Sequence, residues 1–161
     1  MLLRLADAEE TLEFGRILAK GLPAEPGFAI LLEGDLGAGK TTLVRGLVSA
    51  LPGSDQAEVS SPSFTICNLY PTRPQVAHFD LYRQQGSAPD DQYCESLESP
   101  FTLVVVEWAQ YLAPADLPED VLRLTWQPAE AGRLVKLEAQ GQTTERYLHG
   151  IYGKLRRFAA S

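Results

Sequence analysis

The chain has 161 residues, of which 45% are hydrophobic and 22% are charged, a size and composition typical of one globular domain with a substantial core. Its net charge of -7 disfavours a large, sequence-independent nucleic-acid surface, because such binding needs many Lys and Arg contacts to phosphate, so any link to RNA is expected to be indirect. The apolar stretches are too short for a membrane span, and the two cysteines have neither a C-x-x-C spacing nor the number that a disulfide scaffold needs. We therefore expect a cytoplasmic protein with reduced thiols.

The first predicted elements are a helix, a buried strand and a second helix. Asp7 followed by Glu10 resembles a helix capping box, and apolar residues at helical spacing continue the pattern to residue 21. The apolar run 28–32 predicts a buried strand, and residues 41–51 predict a helix that ends before Pro52. A glycine-rich segment lies between this strand and this helix, as in a phosphate-binding loop.

That segment matches the phosphate-binding pattern G-x-x-x-x-G-K-[ST] from Gly34 to Thr41. Glycines allow the backbone to wrap a polyphosphate, and the positive N-terminal end of the following helix faces the same anion. Lys40 is expected to reach the β- and γ-phosphates, and Thr41 to place its hydroxyl on Mg²⁺. The predicted nucleotide-contacting residues of the loop are Asp35, Leu36, Gly37, Ala38, Gly39, Lys40, Thr41 and Thr42. The pattern predicts a nucleotide ligand; the alternative is a glycine turn before a helix.

Downstream of the loop, strands over residues 64–70 and 76–82 form a predicted antiparallel hairpin near the phosphate site. Residues 84–100 are polar and poorly periodic, which predicts a loop or a weak helix. The β-branched apolar run 102–106 predicts a central strand.

The remaining elements are strands over residues 121–126 and 134–139, with a turn between them, and a final helix from about 144 to 158. The whole chain, 1–161, is therefore predicted to be a single α/β domain of the P-loop NTPase type. We expect a mostly parallel central sheet with flanking helices and a short antiparallel hairpin.

Two carboxylates are candidates for the metal and for catalysis together with Lys40. Phosphoryl chemistry needs a carboxylate near Mg²⁺, typically at the end of an apolar strand beside the loop strand, and Glu107 follows such a run. Asp80 lies at the end of the predicted hairpin and is the second candidate metal ligand, since a cation offsets the repulsion between two nearby acids. The alternatives are a solvated acid for Glu107, and a cap or an ion pair with Arg83 for Asp80.

Four segments, residues 34–42, 61–65 (Ser-Pro-Ser-Phe-Thr), 78–83 (His-Phe-Asp-Leu-Tyr-Arg) and Glu107-Trp108, occur in an order that resembles the TsaE (YjeE) family of bacterial ATPases. The resemblance covers about residues 5–140. It implies an ATPase that uses Mg²⁺ and acts with TsaB and TsaD proteins in making threonylcarbamoyladenosine on tRNA.

The same resemblance implies roles for individual residues. Lys40 binds phosphate, Thr41 and Glu107 bind Mg²⁺, and Asp80 supports hydrolysis. The segment 61–65, hereafter the switch segment, senses the γ-phosphate. One further residue packs beside the site, and two others border the adenine. The hydroxyl residues of the switch segment are Ser61, Ser63 and Thr65, the residue packed beside the site is Trp108, and the adenine neighbours are Thr11 and Arg133.

From the residues alone, three of these assignments stay open. Trp108 either stacks at the site or buries its ring in the core. Thr11 is otherwise a helix-surface residue, and Arg133 a turn cation. The chain also departs from the family at Ser63, which keeps a hydroxyl but lacks the methyl of threonine, and at residues 84–87, a segment expected either to be disordered or to contact partners differently.

Three function classes share this loop: an ATPase that serves a tRNA-modifying assembly, a small-molecule kinase, and a nucleotide-gated binding module. A kinase usually has an arginine-bearing lid, and residues 84–100 contain neither Arg nor Lys. A GTPase is disfavoured because the chain has no Asn-Lys-x-Asp motif. No arginine is clearly placed to stabilise the transition state, so we expect a weak ATP hydrolase that a partner activates.

Overall fold

The computed structural model describes residues 1–85 and 87–160, which form one seven-stranded sheet flanked by four α-helices. The strands are β1 Leu2–Leu5, β2 Ala29–Glu33, β3 Cys67–Tyr70, β4 Gln75–Asp80, β5 Thr102–Glu107, β6 Val121–Gln127 and β7 Arg133–Gln140. The helices are α1 Ala8–Lys20, α2 Lys40–Ser49, α3 Asp91–Glu98 and α4 Gln142–Leu155. In the sheet the strands lie in the order β1-β7-β6-β2-β5-β4-β3.

The centre of the sheet is parallel and both of its sides are antiparallel. Strands β6, β2, β5 and β4 are parallel neighbours, β7 and β1 add antiparallel strands on one side, and β3 pairs antiparallel with β4 on the other. Parallel strands bring their carboxyl ends to one edge, which in open α/β sheets is the edge where ligands bind. This topology confirms the predicted α/β fold and places the ends of β2, β4 and β5 side by side.

Helices α1 and α2 pack closely together over the sheet. Asp7 caps α1 as predicted, since the Glu10 amide donates to Asp7 Oδ1 at 2.9 Å, while the Glu10 carboxylate accepts from the Ala6 amide at 2.6 Å and not from that of Asp7. A side chain at Gly46 of α2 would collide with the backbone of Leu12 on α1, so only glycine allows the two helices this separation. The close packing brings Thr11 of α1 against the glycine-rich loop, where its methyl group lies 3.6 Å from the position of a Cβ at Gly39.

Besides shifts of one or two residues at element ends, three elements differ from the sequence-based prediction. The prediction omitted β1, a strand of only 4 residues whose inward-facing side chains, Leu3 and Leu5, are fully buried. Strand β3 begins at Cys67 and not at residue 64, because Ile66 has a left-handed backbone (φ 71°) and its amide donates to the Pro62 carbonyl in a tight turn. Helix α4 ends at Leu155 and continues as a short 3-10 turn to Phe158.

Within the segment predicted as a loop or weak helix, residues Asp91–Glu98 form a regular helix. Asp90 caps it, with its carboxylate accepting from the Tyr93 amide at 3.1 Å. Gly86, part of the segment predicted to contact partners differently, lies outside the described residues. Across the described ranges, the structure contains no helix that is both long and apolar enough to cross a membrane.

Candidate functional site

The candidate site lies at the carboxyl edge of the parallel strands, where β2 leads into the glycine-rich loop. Gly39 is the residue before α2 and has φ 113°, a conformation that side-chain-bearing residues rarely adopt. Helix α2 starts directly after it at Lys40, so the first amides of the helix have no intrahelical partner and can face a ligand at the loop. The local backbone is therefore the anion-binding geometry that the sequence pattern predicts.

Lys40 is buried at the centre of this site. Its Nζ donates to the carbonyl oxygens of Gly34 at 2.6 Å and Asp35 at 2.8 Å, and it lies 4.1 Å from the centre of the Trp108 ring. Burial lowers the pKa of Lys40, while the nearby carboxylates of Glu107 and Asp80 oppose that shift. Neutral carbonyl groups hold the ammonium, so a polyphosphate anion at the loop would gain from its charge.

Glu107 faces the start of α2 from the end of β5. Its carboxylate is almost wholly buried, with 3% of the residue exposed, and Oε1 accepts hydrogen bonds from Thr41 Oγ1 at 2.8 Å and from His78 Nε2 at 2.9 Å. The structure thus brings together two of the three oxygen-bearing residues that the sequence predicts as metal ligands. A carboxylate and a hydroxyl are hard oxygen donors of the kind that Mg²⁺ takes beside phosphate and water.

Asp80 lies beside Glu107, because the two residues are register partners on β4 and β5. Its Oδ2 accepts from Ser61 Oγ at 3.0 Å and its Oδ1 from the Tyr82 amide at 2.9 Å, while the hydroxyls of Ser61 and Ser63 are 2.7 Å apart. The carboxylate therefore connects the end of β4, beside Glu107, to the switch segment. Arg83, considered above as a partner for Asp80, lies over the ring of Phe64 at 4.6 Å.

A cavity of about 340 Å³ joins most of the predicted residues. It is lined by residues 36–42 together with Ser61, Ser63, Asp80, Glu107, Trp108 and Arg133. A second cavity of about 500 Å³ adjoins the loop, with Asp35, Trp126, Pro128 and Arg133 among its lining residues. The first contains charged and hydrogen-bonding groups for phosphates, and the second includes Trp126 and Pro128, whose apolar surfaces suit a flat ligand.

Of three further predicted residues, Thr11 and Thr65 line neither of these cavities. Arg133 lines both, and its Nε donates to the Ala38 carbonyl at 2.9 Å. Thr11 is fully buried, and its hydroxyl donates to the Asp7 carbonyl at 2.9 Å, so its methyl group is the part that supports the loop. The Thr65 hydroxyl donates to Asn68 at 3.0 Å.

Trp108 combines the two alternatives considered for it, since it is 8% exposed and also lines the phosphate cavity. Its backbone is left-handed, with φ 60°, which is costly for a bulky residue and is typical of functional sites. The ring stacks on Tyr111, with the ring centres 5.9 Å apart, and thereby holds a flat aromatic surface against Lys40.

His78 and Tyr70 have no role of their own in the sequence-based prediction, which names His78 only as part of the segment 78–83. His78 is fully buried and contacts Glu107, and its Nδ1 lies 3.1 Å from the Tyr70 hydroxyl. Strand periodicity could have placed His78 on the same face of the strand as Asp80, because residues i and i+2 share one face and His78 is two residues before Asp80.

Comparisons with known proteins agree with the fold and extend over most of the chain. A family model described as "Threonylcarbamoyl adenosine biosynthesis protein TsaE" matches residues 5–135. A relative from Nostoc sp., named "tRNA threonylcarbamoyladenosine biosynthesis protein TsaE", is 44% identical over 111 residues, which cover 66% of this chain and 66% of the relative. A Bacillus subtilis protein of the same name is 35% identical over 125 residues, 75% of this chain and 73% of its own. The crystal structure of Bacillus subtilis YdiB superposes with a TM-score of 0.75 at 27% identity, over 96% of this chain and 95% of YdiB.

Proposed function

The chain belongs to the TsaE family, and from this premise we propose that it binds ATP with Mg²⁺ and hydrolyses it in support of an assembly that makes threonylcarbamoyladenosine on tRNA. The observation that carries the nucleotide and metal part is the 2.8 Å hydrogen bond between Thr41 Oγ1 and Glu107 Oε1, at the end of the phosphate-binding loop. The tRNA part is supported by the names of the relatives. Since tRNA is the substrate of the assembly, the proposal places the protein in the cytoplasm.

In this proposal the loop and Lys40 bind the phosphates. The unpaired amides at the start of α2 and the ammonium of Lys40 converge on the same anion. Thr41 and Glu107 would hold Mg²⁺, which supplies charge neutralisation for the phosphate oxygens. Two protein oxygens fit this ion, because Mg²⁺ in nucleotide sites commonly keeps water and phosphate as its other ligands.

Asp80 is proposed as the residue that positions the attacking water and registers the γ-phosphate. Its carboxylate lines the phosphate cavity and accepts from the Ser61 hydroxyl, so a water at this place would compete with Ser61 for the carboxylate, and a phosphate oxygen would compete with the carboxylate for the Ser61 hydroxyl. Without a nucleotide, Asp80 then holds the switch segment in one position. With a bound nucleotide, the segment is released or forms new hydrogen bonds, as in other nucleotide switches.

The adenine is proposed to occupy the second cavity. Trp126 and Pro128 offer apolar surface there, and Arg133 lies between this cavity and the phosphate cavity. Thr11 supports the loop at Gly39 from the side of α1 and so affects the same region without needing its hydroxyl.

Hydrolysis by the isolated chain is proposed to be slow. Arg133 reaches the phosphate cavity, but its Nε is bonded to the Ala38 carbonyl. An arginine that stabilises the transferred phosphoryl group contributes about 10³ to 10⁵ in rate where it is present. We propose that TsaB- and TsaD-like proteins complete the site, and that contact with tRNA is indirect.

The test is phosphate release from ATP while the purified TsaB and TsaD equivalents and tRNA are added in turn. The proposal predicts slow release by the chain alone and a marked increase with the partners, which the Asp80→Asn variant abolishes. Equal rates with and without partners would contradict the assembly role. ATP binding without turnover in every combination would instead favour a nucleotide-gated binding module.

A further inference from the structure

A chain of hydrogen bonds runs from the Glu107 carboxylate to the backbone beside the switch segment. His78 Nε2 is 2.9 Å from Glu107 Oε1, and His78 Nδ1 is 3.1 Å from the Tyr70 hydroxyl. The same Tyr70 hydroxyl is 3.2 Å from the carbonyl oxygen of Ser60, the residue before the switch segment. His78 is fully buried and Tyr70 nearly so, so the two bonds of His78 are shielded from water, while the bond from Tyr70 to the exposed Ser60 is partly shielded.

The chemistry of the three groups fixes the direction of the bonds. An ionised carboxylate only accepts, so His78 Nε2 is the donor to Glu107. In a neutral imidazole Nδ1 is then an acceptor, and the Tyr70 hydroxyl faces it as the donor. Burial raises the pKa of Tyr70, which keeps its proton on the oxygen.

Tyr70 is therefore a branch point, because its single proton has two acceptors. It can donate to His78 Nδ1 or to the Ser60 carbonyl, which also accepts from the Asn68 side-chain amide at 3.3 Å. When Tyr70 donates to His78, the Ser60 backbone loses one of these two bonds.

We propose that His78 is a positioning residue for Glu107 and that Tyr70 couples Glu107 to the position of the switch segment. The proposal deepens the proposed function and rests on it, since Glu107 acts there as a ligand of Mg²⁺. Asp80 bonds Ser61 directly, and Glu107 reaches Ser60 through His78 and Tyr70. Both carboxylates of the site are in this way attached to adjacent residues of the same backbone.

Two substitutions of His78 separate positioning from simple packing. The side-chain amide nitrogen of His78→Gln can take the place of Nε2 and keep a donor for Glu107. In His78→Asn the side-chain amide lies near the place of Nδ1, so Glu107 loses the donor that Nε2 supplies. For Tyr70→Phe the matched control is Tyr93→Phe, because Tyr93 also buries a hydroxyl, which donates to the Asp116 carbonyl at 2.9 Å.

The first experiment is nitrogen-15 NMR of the histidine rings in metal-free and nucleotide-free protein, at a pH where the rings are neutral. The proposal predicts that His78 carries its proton on Nε2, and that its Nδ1 signal moves in Tyr70→Phe but not in Tyr93→Phe. A His78 ring protonated on Nδ1 alone would overturn the proposal, since Nε2 could not donate to Glu107. So would an Nδ1 signal that Tyr70→Phe leaves unchanged.

The second experiment measures Mg²⁺ affinity at saturating ADP, together with amide hydrogen exchange of residues 60–66. His78→Asn should weaken Mg²⁺ about 10-fold or more, as loss of a group that orients a metal ligand does, and His78→Gln should restore most of that loss. Tyr70→Phe should abolish the effect of Mg²⁺ on exchange at residues 60–66, while Tyr93→Phe keeps it. Equal weakening by both His78 variants, or by neither, would overturn the positioning role.

These experiments also separate the inference from the proposed function. A wild-type protein whose ADP affinity is unaffected by Mg²⁺ would contradict the proposed function. The metal-free spectra of His78 would still decide whether His78 and Tyr70 are linked to Glu107.

Discussion

The two walls of the phosphate cavity are held in place by different kinds of contact. On one wall, the loop and Lys40 are supported by β2 and by the close packing of α1 on α2. On the other wall, the switch segment is largely exposed, with Phe64 85% exposed, and hydrogen bonds of Ser61, Thr65 and neighbouring Ser60 attach it to the sheet. Rearranging a closely packed core costs much free energy, whereas exchanging a few hydrogen bonds costs little. In the proposed function the first wall binds the phosphates and the second moves in response to them. We therefore call the loop with Lys40 the binding wall and the switch segment the responding wall.

Asp80→Asn should give the largest change, because Asp80 holds the switch segment of the responding wall through Ser61 and is proposed to position the attacking water. The amide cannot accept a proton, so partner-stimulated phosphate release should fall roughly 100-fold or more. ADP affinity should change little, since the binding wall is intact. Glu98→Gln, at the exposed end of α3, is the control for loss of a carboxylate. A near-normal rate in Asp80→Asn would remove Asp80 from the catalytic role.

Lys40→Ala should impair the binding wall itself. Loss of a charge-assisted contact to phosphate should weaken ADP and ATP binding by roughly 10- to 100-fold in calorimetry. The exposed Lys154 on α4 provides the control, and Lys154→Ala should bind normally. If the Lys40 variant binds nucleotide as tightly as wild type, the loop is not the phosphate site.

Gly46→Ala tests whether packing supports the binding wall. The added methyl group collides with the Leu12 backbone, so the free energy of unfolding should fall by about 1–3 kcal/mol in a denaturant titration. Gly150→Ala is the matched control, because nothing lies within 4 Å of the added group on the exposed face of α4. There the helix should gain about 0.5–1 kcal/mol. Equal effects of the two variants would mean that the contact of α1 with α2 does not support the loop.

The binding wall could be predicted from sequence far better than the responding wall, and the reason is physical. The loop, Lys40 and Thr41 form one local pattern, and Glu107 and Asp80 follow apolar strands, so their positions depend on short stretches of chain. The role of His78 depends on the register of β4 against β5, which a single sequence does not specify.

The start of the responding wall was also misjudged for a local reason. The apolar pattern predicts that the strand begins at residue 64, but the left-handed backbone of Ile66 delays its start to Cys67. Isoleucine is β-branched and rarely adopts this conformation, so the sequence does not indicate the turn. Strand β1 was missed because its 4 residues gain their place from pairing with distant β7.

Ser61→Ala should have the smallest effect and should be confined to the responding wall. It removes one hydrogen bond to Asp80, which should speed amide exchange in residues 61–65 by roughly 3- to 10-fold without changing ADP affinity. Ser54→Ala, which removes a bond to the Ser49 carbonyl, should leave that exchange unchanged. Unchanged exchange in the Ser61 variant would show that Asp80 does not hold the segment.

The proposed function depends most on the assignment of Thr41 and Glu107 as a Mg²⁺ site beside a bound nucleotide. Calorimetric titration of ADP into wild type and Glu107→Gln, each with Mg²⁺ and with a chelator, tests it directly. We predict that Mg²⁺ tightens ADP binding to wild type and has little effect on the Glu107 variant, while both proteins bind ADP alike in chelator. Equal Mg²⁺ dependence in the two proteins, or none in wild type, would contradict the assignment.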